Sequence, residues 1–220
     1  MGNRPAVCHR KVELRVYLPI HDLQPQFAAW LSTPVRARGY PPFAGQHSLI
    51  IEVAPALSIH RIADLALKKA PDLEPGLLFT ERQFGLLELH SDDAAEIKTA
   101  GQAILDGIGA KPADQYAPQI VLHDIITDLS DQHAVILNRS RDGSMLTPGA
   151  SLLVCEMAPA LFACVAVNEA ERAAPDAVVV DVQMMGVSGR VFMSGGEQDM
   201  ERARATILKT LQAIDGRDFP

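Results

Sequence analysis

Read for the spacing of its apolar positions, the chain breaks into short elements of recognisable kind. Val12-Glu13-Leu14-Arg15-Val16-Tyr17-Leu18 alternates apolar with polar or aromatic residues, which predicts a half-buried strand with Leu14 and Val16 on one face. Phe27–Leu31 is a short element between turns marked by Pro19, Pro25 and Pro34, and 36–45 is a loop. Ser48–Val53 is a strand rich in β-branched residues. Ile59, Ile62, Ala63 and Ala66 then recur at helical spacing, with His60, Arg61, Asp64 and Lys68 off the stripe. Pro55 suits the first turn of that helix, where its missing N–H costs nothing, and Pro71 ends it. Strands at 77–79 and 86–89 are joined by Thr80–Gly85, and Ser91-Asp92-Asp93 caps a helix from Ala94 to Ile108.

The second half repeats the scheme. Its strands are expected at Ile120–Ile126, Ala134–Leu137 and Leu152–Glu156, with a polar turn at Asn138–Gly143. A helix runs from Pro159, strands lie around Val178–Val182 and Arg190–Met193, and a last helix spans Asp199–Ile214. Each half thus reads strand, strand, strand, helix, strand, strand, helix: an α+β arrangement, largely antiparallel, with two helices on one side. The halves also share sequence. Glu52-Val53-Ala54-Pro55-Ala56-Leu57 recurs at an offset of 104 residues as Glu156-Met157-Ala158-Pro159-Ala160-Leu161, and Ala70-Pro71-Asp72 recurs as Ala174-Pro175-Asp176. Gly85 and Gly189 keep that register, and Asp22-Leu23 with Gln26 and Ala28 recurs at an offset of 106 as Asp128-Leu129 with Gln132 and Ala134. A unit of that length is a domain rather than a solenoid repeat. Two tandem domains are expected, at 11–112 and 117–220, with the proline-containing stretch 112–118 as the linker.

Composition narrows the function. The chain has 220 residues, 48% of them apolar, and a formal charge of −7. That is ordinary globular usage with no basic field for a phosphate backbone, so no nucleic-acid partner is expected. Cys8, Cys155 and Cys164 are odd in number and lack CxxC spacing, which fits reduced thiols. The first residues show no apolar signal core, and Ala158–Val167 is too short to span a bilayer, so a cytoplasmic protein with no membrane association is expected.

Candidate chemistry is sparse. The seven histidines show no HxxxH or HExxH spacing, so no metal is expected. Gly195-Gly196 precedes a helix start already carrying Glu197 and Asp199, which favours a capped turn over a phosphate cradle. Cys155 and Cys164 read as buried small residues, and Met184-Met185 as strand core or pore lining. With no nucleophile, base or metal set, neither an enzyme nor a cofactor is expected. Glu81-Arg82 in a hairpin loop is by itself a solvated turn.

The ordered series Glu13-Leu-Arg-Val-Tyr17, Asp22-Leu-Gln-Pro-Gln-Phe-Ala-Ala29, Glu52-Val-Ala-Pro55, Ile59-His-Arg61, Ala66-Leu-Lys68, Glu81-Arg-Gln-Phe-Gly85, Leu137-Asn-Arg139, Gly143-Ser-Met145, Asn168-Glu-Ala-Glu171 and Gly189-Arg190 resembles the tandem, circularly permuted shell proteins of bacterial microcompartments, of the carboxysome type. The resemblance covers about 11–214. It implies two tandem permuted domains and a homotrimer imitating a hexamer. It also implies edge-to-edge tiling with other shell proteins, stacking of trimers in pairs, and a gated threefold pore for small anionic metabolites, sugar phosphates and bicarbonate in a carboxysome. The family's gating pair matches Glu81 and Arg82, flanked by Thr80 and Gln83. Met185 and Gly186 fall on the second domain's pore side, where the family tends to have small residues and a phenylalanine. The edge lysine matches Lys68, and Arg172 takes that place in the second domain. Two alternatives are a tile of a catabolic compartment and a tandem α+β sensor binding a small molecule between its domains.

Overall fold

The computed structural model describes residues 11–33 and 39–220; residues 1–10, Cys8 among them, and the start of the loop expected at 36–45 lie outside these. The first half contains β1 (Glu13–Ile20), α1 (Pro25–Leu31), β2 (His47–Ala54), α2 (Ser58–Lys69), β3 (Glu74–Thr80), β4 (Gly85–Ser91) and α3 (Ala94–Ile108). After a single 3-10 turn at Pro112–Asp114 come β5 (Gln119–Ile126), α4 (Asp131–Asn138), β6 (Ser151–Ala158), α5 (Phe162–Ala173), β7 (Val178–Gln183), β8 (Gly189–Gly195) and α6 (Glu197–Gln212). The strands form two antiparallel sheets, ordered β1-β2-β4-β3 and β5-β6-β8-β7.

Three expectations need correction. The second element of each half is a helix, so Ala134–Leu137 is part of α4 and not a strand. A short apolar run does not by itself separate strand from helix. Here the Ala134 N–H donates to Ser130 O at 3.0 Å, and Asn138 clasps Leu146 from both sides at 2.7 and 2.9 Å, which holds the turn closed. Pro55 does not lie inside α2. The Ala54–Pro55 and Ala158–Pro159 peptides are cis, and each proline carbonyl accepts an N–H three residues on, Ser58 at 2.9 Å and Phe162 at 3.3 Å, in the turn before its helix. Leu14 and Val16 face opposite sides of their sheet, because the register with β2 slips between them and leaves Arg15 as the extra residue of a bulge. The same slip falls between Ile120 and Leu122 in β5.

Each domain packs its sheet against two helices. Leu14, Leu49, Ile51, Leu87 and Leu89 meet Ile59, Ile62, Ile97 and Ile104 of α2 and α3. A larger core runs from the helices of the second domain to the opposite face of the first sheet, joining Val16, Leu18, Phe27 and Trp30 to Phe162, Val167 and Met193. Burying an aliphatic or phenylalanine side chain is worth roughly 1.5–3 kcal/mol, so this shared core holds the two domains together.

The paired glycines now have a physical cause. A Cβ on Gly85 or Gly189 would collide with the carbonyl oxygen of Ala56 or Ala160 in the turn before α2 or α5. The repeat therefore conserves a contact between a strand start and a Pro-Ala turn. Gly189→Ala is expected to cost about 1–3 kcal/mol of stability through overpacking against backbone, read as a lowered urea midpoint at unchanged slope.

Candidate functional site at the hairpin tips and the domain joint

The first expected site lies on the turn between β3 and β4. Glu81 N–H donates to Phe84 O at 2.8 Å, closing a four-residue tip. Thr80, Arg82 and Gln83 are exposed, while Glu81 and Phe84 are half-buried. Among the described residues the Glu81 Oε2 atom is buried without a hydrogen-bond partner. Behind the tip, Arg15 Nε donates to Glu52 Oε1 at 2.6 Å, and both side chains are buried. The Arg15 guanidinium lies 3.7 Å from the Phe84 ring centroid and 5.1 Å from that of Tyr116. Burial raises the Glu52 carboxyl pKa; Arg15 opposes that and the nearby Glu81 charge adds to it.

The second tip, between β7 and β8, has the same backbone role and different chemistry. Met184 is buried with its Sδ 3.6 Å from Cys164 Sγ, Met185 is half-buried, Gly186 takes φ +113°, and Val187 is exposed. Glu156, the counterpart of Glu52, accepts from Ser188 Oγ at 2.5 Å and from Arg190 at 3.2 Å. Those contacts, Ser188 first, hold its carboxyl pKa below the usual range. Arg15 has no equivalent there, because Val121 stands at its position and is exposed.

Lys68 and Arg172 occupy matching places on α2 and α5 with different partners. Among the described residues Lys68 pairs only with Asp64, at 2.7 Å on its own helix. Arg172 reaches across the domain joint to Asp22 Oδ2 at 2.6 Å and to the carbonyls of His21 and Asp22 at 2.9 Å. Around it lies a joint that the sequence reading did not assign. Glu171 accepts the Gln26 and Phe27 N–H groups at 2.7 and 2.9 Å, and Asn168 Oδ1 accepts Gln24 N–H at 2.9 Å. Gln26 bonds Ala177 O and Val179 N–H at 2.9 and 2.8 Å. The available signal was Asn168 and Glu171 on a helix whose twin carries Asp64 and Leu67 at the matching positions. A groove of about 690 Å³ follows the joint, lined by Pro19, His21, Glu169, Arg172 and Lys209. No helix among the described residues is long and apolar enough to cross a membrane.

The Asp22–Arg172 pair carries a pH signature. The Arg172 hydrogen bond holds the Asp22 carboxyl below its ordinary value. Its contribution is therefore complete above the unfolded pKa of about 4 and is lost as pH falls through the lower folded value. Both groups are solvent-exposed, so the effect is under about 1 kcal/mol. Asp22→Asn is expected to lose less stability than the wild-type chain between pH 5 and pH 3, measured by urea unfolding.

Comparison with known proteins agrees with this architecture. The family description "CsoS1D N-terminal domain" matches residues 14–114. The chain is 37% identical over 209 residues to the carboxysome shell protein CcmP of Synechococcus elongatus, covering 95% of this chain and 96% of that one. It is 39% identical over 207 residues to the carboxysome shell protein CsoS1D of Hydrogenovibrio crunogenus, covering 94% and 99%. Two solved structures from the RMM microcompartment superpose closely. The double ringed trimeric shell protein MSM0271 has a TM-score of 0.91 at 54% identity, and the fused permuted hexameric shell protein MSM0275 has 0.88 at 42%; each match covers 94% of this chain and 100% of the other.

Proposed function

This chain belongs to the family of the carboxysome shell proteins CcmP and CsoS1D, and from that premise we propose that three copies close a flat ring of six domains around a central opening. It is a structural shell protein and not an enzyme, as those relatives are.

The observation that carries the ring is that each chain contains one finished joint and the two unfinished halves of another. In the finished joint α1 and β1 of the first domain pack on α5 of the second, and Leu161, Phe27 and Trp30 are buried. The repeated counterparts are bare: Leu57 is 73% exposed where Leu161 is 0%, and Ile136 is 64% exposed where Trp30 is 3%. Val121, Leu122 and Val135 are exposed beside it. A second copy presents what each half lacks, so the α4 and β5 face of one chain seats on α2 of the next. Asp22 and Asp128 both take the left-handed conformation, φ 58° and 52°, so Asp128 presents its carboxylate as Asp22 does. Lys68 then reaches Asp128 of the partner subunit as Arg172 reaches Asp22, and the parts of both cations still facing solvent lie at the tile edge. The double ringed relative at 54% identity supports stacking of two rings.

The opening is bordered by the hairpin tips, with Thr80, Glu81, Arg82 and Gln83 from one domain and Met185 and Gly186 from the other. Three Arg82 side chains there offer positive charge to small anionic metabolites. Their local field outweighs surface charge lying beyond the screening length of about 8–10 Å.

A charge reversal tests the ring. Lys68→Glu is expected to raise the concentration at which trimers form by roughly two- to tenfold, and adding Asp128→Lys to restore it, read by light scattering on a sizing column. Monomers at every concentration in the wild type would sink the tile. For the opening, Arg82→Ala is expected to slow passage of bulky anions through reconstituted shells severalfold, and Glu81→Ala to change it in the other direction. Equal permeability in all three proteins would remove the tip from the pathway.

One observation favours a second reading of the compartment. Identity to the RMM protein, 54%, exceeds the 37% and 39% to the carboxysome proteins. Isolating assembled shells and identifying the enclosed enzymes decides between a carboxysome, which holds a carboxylase, and another compartment.

A further inference from the structure

We infer that Arg15 is a positioning residue that fixes the first hairpin tip with Glu81 turned toward Glu52 and Arg82 facing solvent. The inference rests on the reading of that tip as the border of an opening. Three observations converge on it. The bulge in β1 makes Arg15 the extra residue, and its carbonyl is held by the Tyr116 N–H at 2.9 Å, so the side chain leaves a fixed point. Its guanidinium is buried between Glu52 and the ring of Phe84, the last residue of the tip. Rings of Tyr116 and Phe219, 5.1 and 6.0 Å away, close the other sides.

The electrostatics explain why the anchor also sets the orientation of the tip. Glu81 has a buried, unpartnered carboxylate oxygen, and its charge acts on Glu52. Two neighbouring carboxylates repel each other, and Arg15 is the cation bonded to one of them, Glu52. Without it, Glu81 is better placed outside, against its neighbour Arg82, where it cancels the charge that Arg82 offers to the opening. The second tip serves as an internal control, since Val121 replaces Arg15 there and Glu156 is held by Ser188 and Arg190 instead. Glu13, Tyr116 and Arg217 surround the site without replacing Arg15, because Arg217 is committed to Glu13 Oε1 at 2.6 Å and stacks on Tyr116 at 3.7 Å.

The test uses the full chain with 4-fluorophenylalanine incorporated at position 84, together with the relative passage of chloride and potassium through reconstituted shells. Arg15→Gln is expected to shift the fluorine resonance toward its unfolded value and to lower the chloride-to-potassium permeability ratio severalfold. Arg15→Lys, which keeps the charge and loses the flat stacking face, should restore the ratio while leaving the resonance displaced. Phe84→Leu, which likewise keeps the charge and loses the stack, should leave the ratio near that of the wild type as Arg15→Lys does, and Arg15→Met, which removes the charge at similar side-chain length, stands in if Arg15→Gln does not fold. In Arg15→Gln, a resonance that does not move, or one that moves while the ratio stays unchanged, would overturn the inference. Shells that pass no ions in the wild type would sink the opening alone, because the fluorine signal still decides whether Arg15 holds the tip.

Discussion

A buried carboxylate on α5 supports the start of a helix in the other domain, and the architecture follows from that dependence. The first N–H groups of any helix lack partners within it, and a helix of seven residues such as α1 does not form alone in water. Its own N-cap residue, Gln24, provides no side-chain cap. The Gln26 and Phe27 N–H groups are satisfied instead by Glu171, which is 4% exposed. Burial raises the Glu171 pKa while the two N–H bonds and Gln26 pull the other way. The first domain thus completes its fold only against the second, and the shared apolar core seals the arrangement.

This dependence also explains what could be read from the chain alone. The repeat was legible because the contacts that recur within each half are short-range in the fold: the glycine against the Pro-Ala turn and the apolar stripe of the helix that follows it. The tips were legible as turns between apolar runs. What escaped was decided across the joint or by a register slip. The run Val135-Ile136-Leu137 resembles a strand because the surface it is shaped to fit belongs to no neighbouring segment. Arg15 seemed to be one more outward residue of an alternating strand until the bulge turned it inward. Glu171 gave a signal only as a mismatch with Leu67, and a mismatch between repeats has no direction until the partners are seen.

The two kinds of joint in the proposed ring are alike in shape and unequal in polar content. At the joint between copies, Leu67 replaces the carboxylate that caps α1. Pro75 stands where Val179 donates its N–H to Gln26, so Gln132 has no equivalent donor to meet. Asp64 and Lys68 retain counterparts of Asn168 and Arg172. The joint within the chain is therefore rich in buried hydrogen bonds, and the one between chains relies more on apolar contact and a peripheral ion pair. Apolar contact is less directional than a buried hydrogen-bond network, which suits a surface that must find its mate by diffusion.

The bulge position, arginine in one half and valine in the other, shows what fusing two copies permits. An assembly of six identical chains alters every rim position whenever it alters one, so a change useful at one tip is imposed on its neighbours. Here the duplicated backbone is kept by the glycines and the Pro-Ala turns, while each half mutates separately. One tip has become charged and braced, the other oily and held by a serine. Duplication has turned a constraint of symmetry into room for divergence.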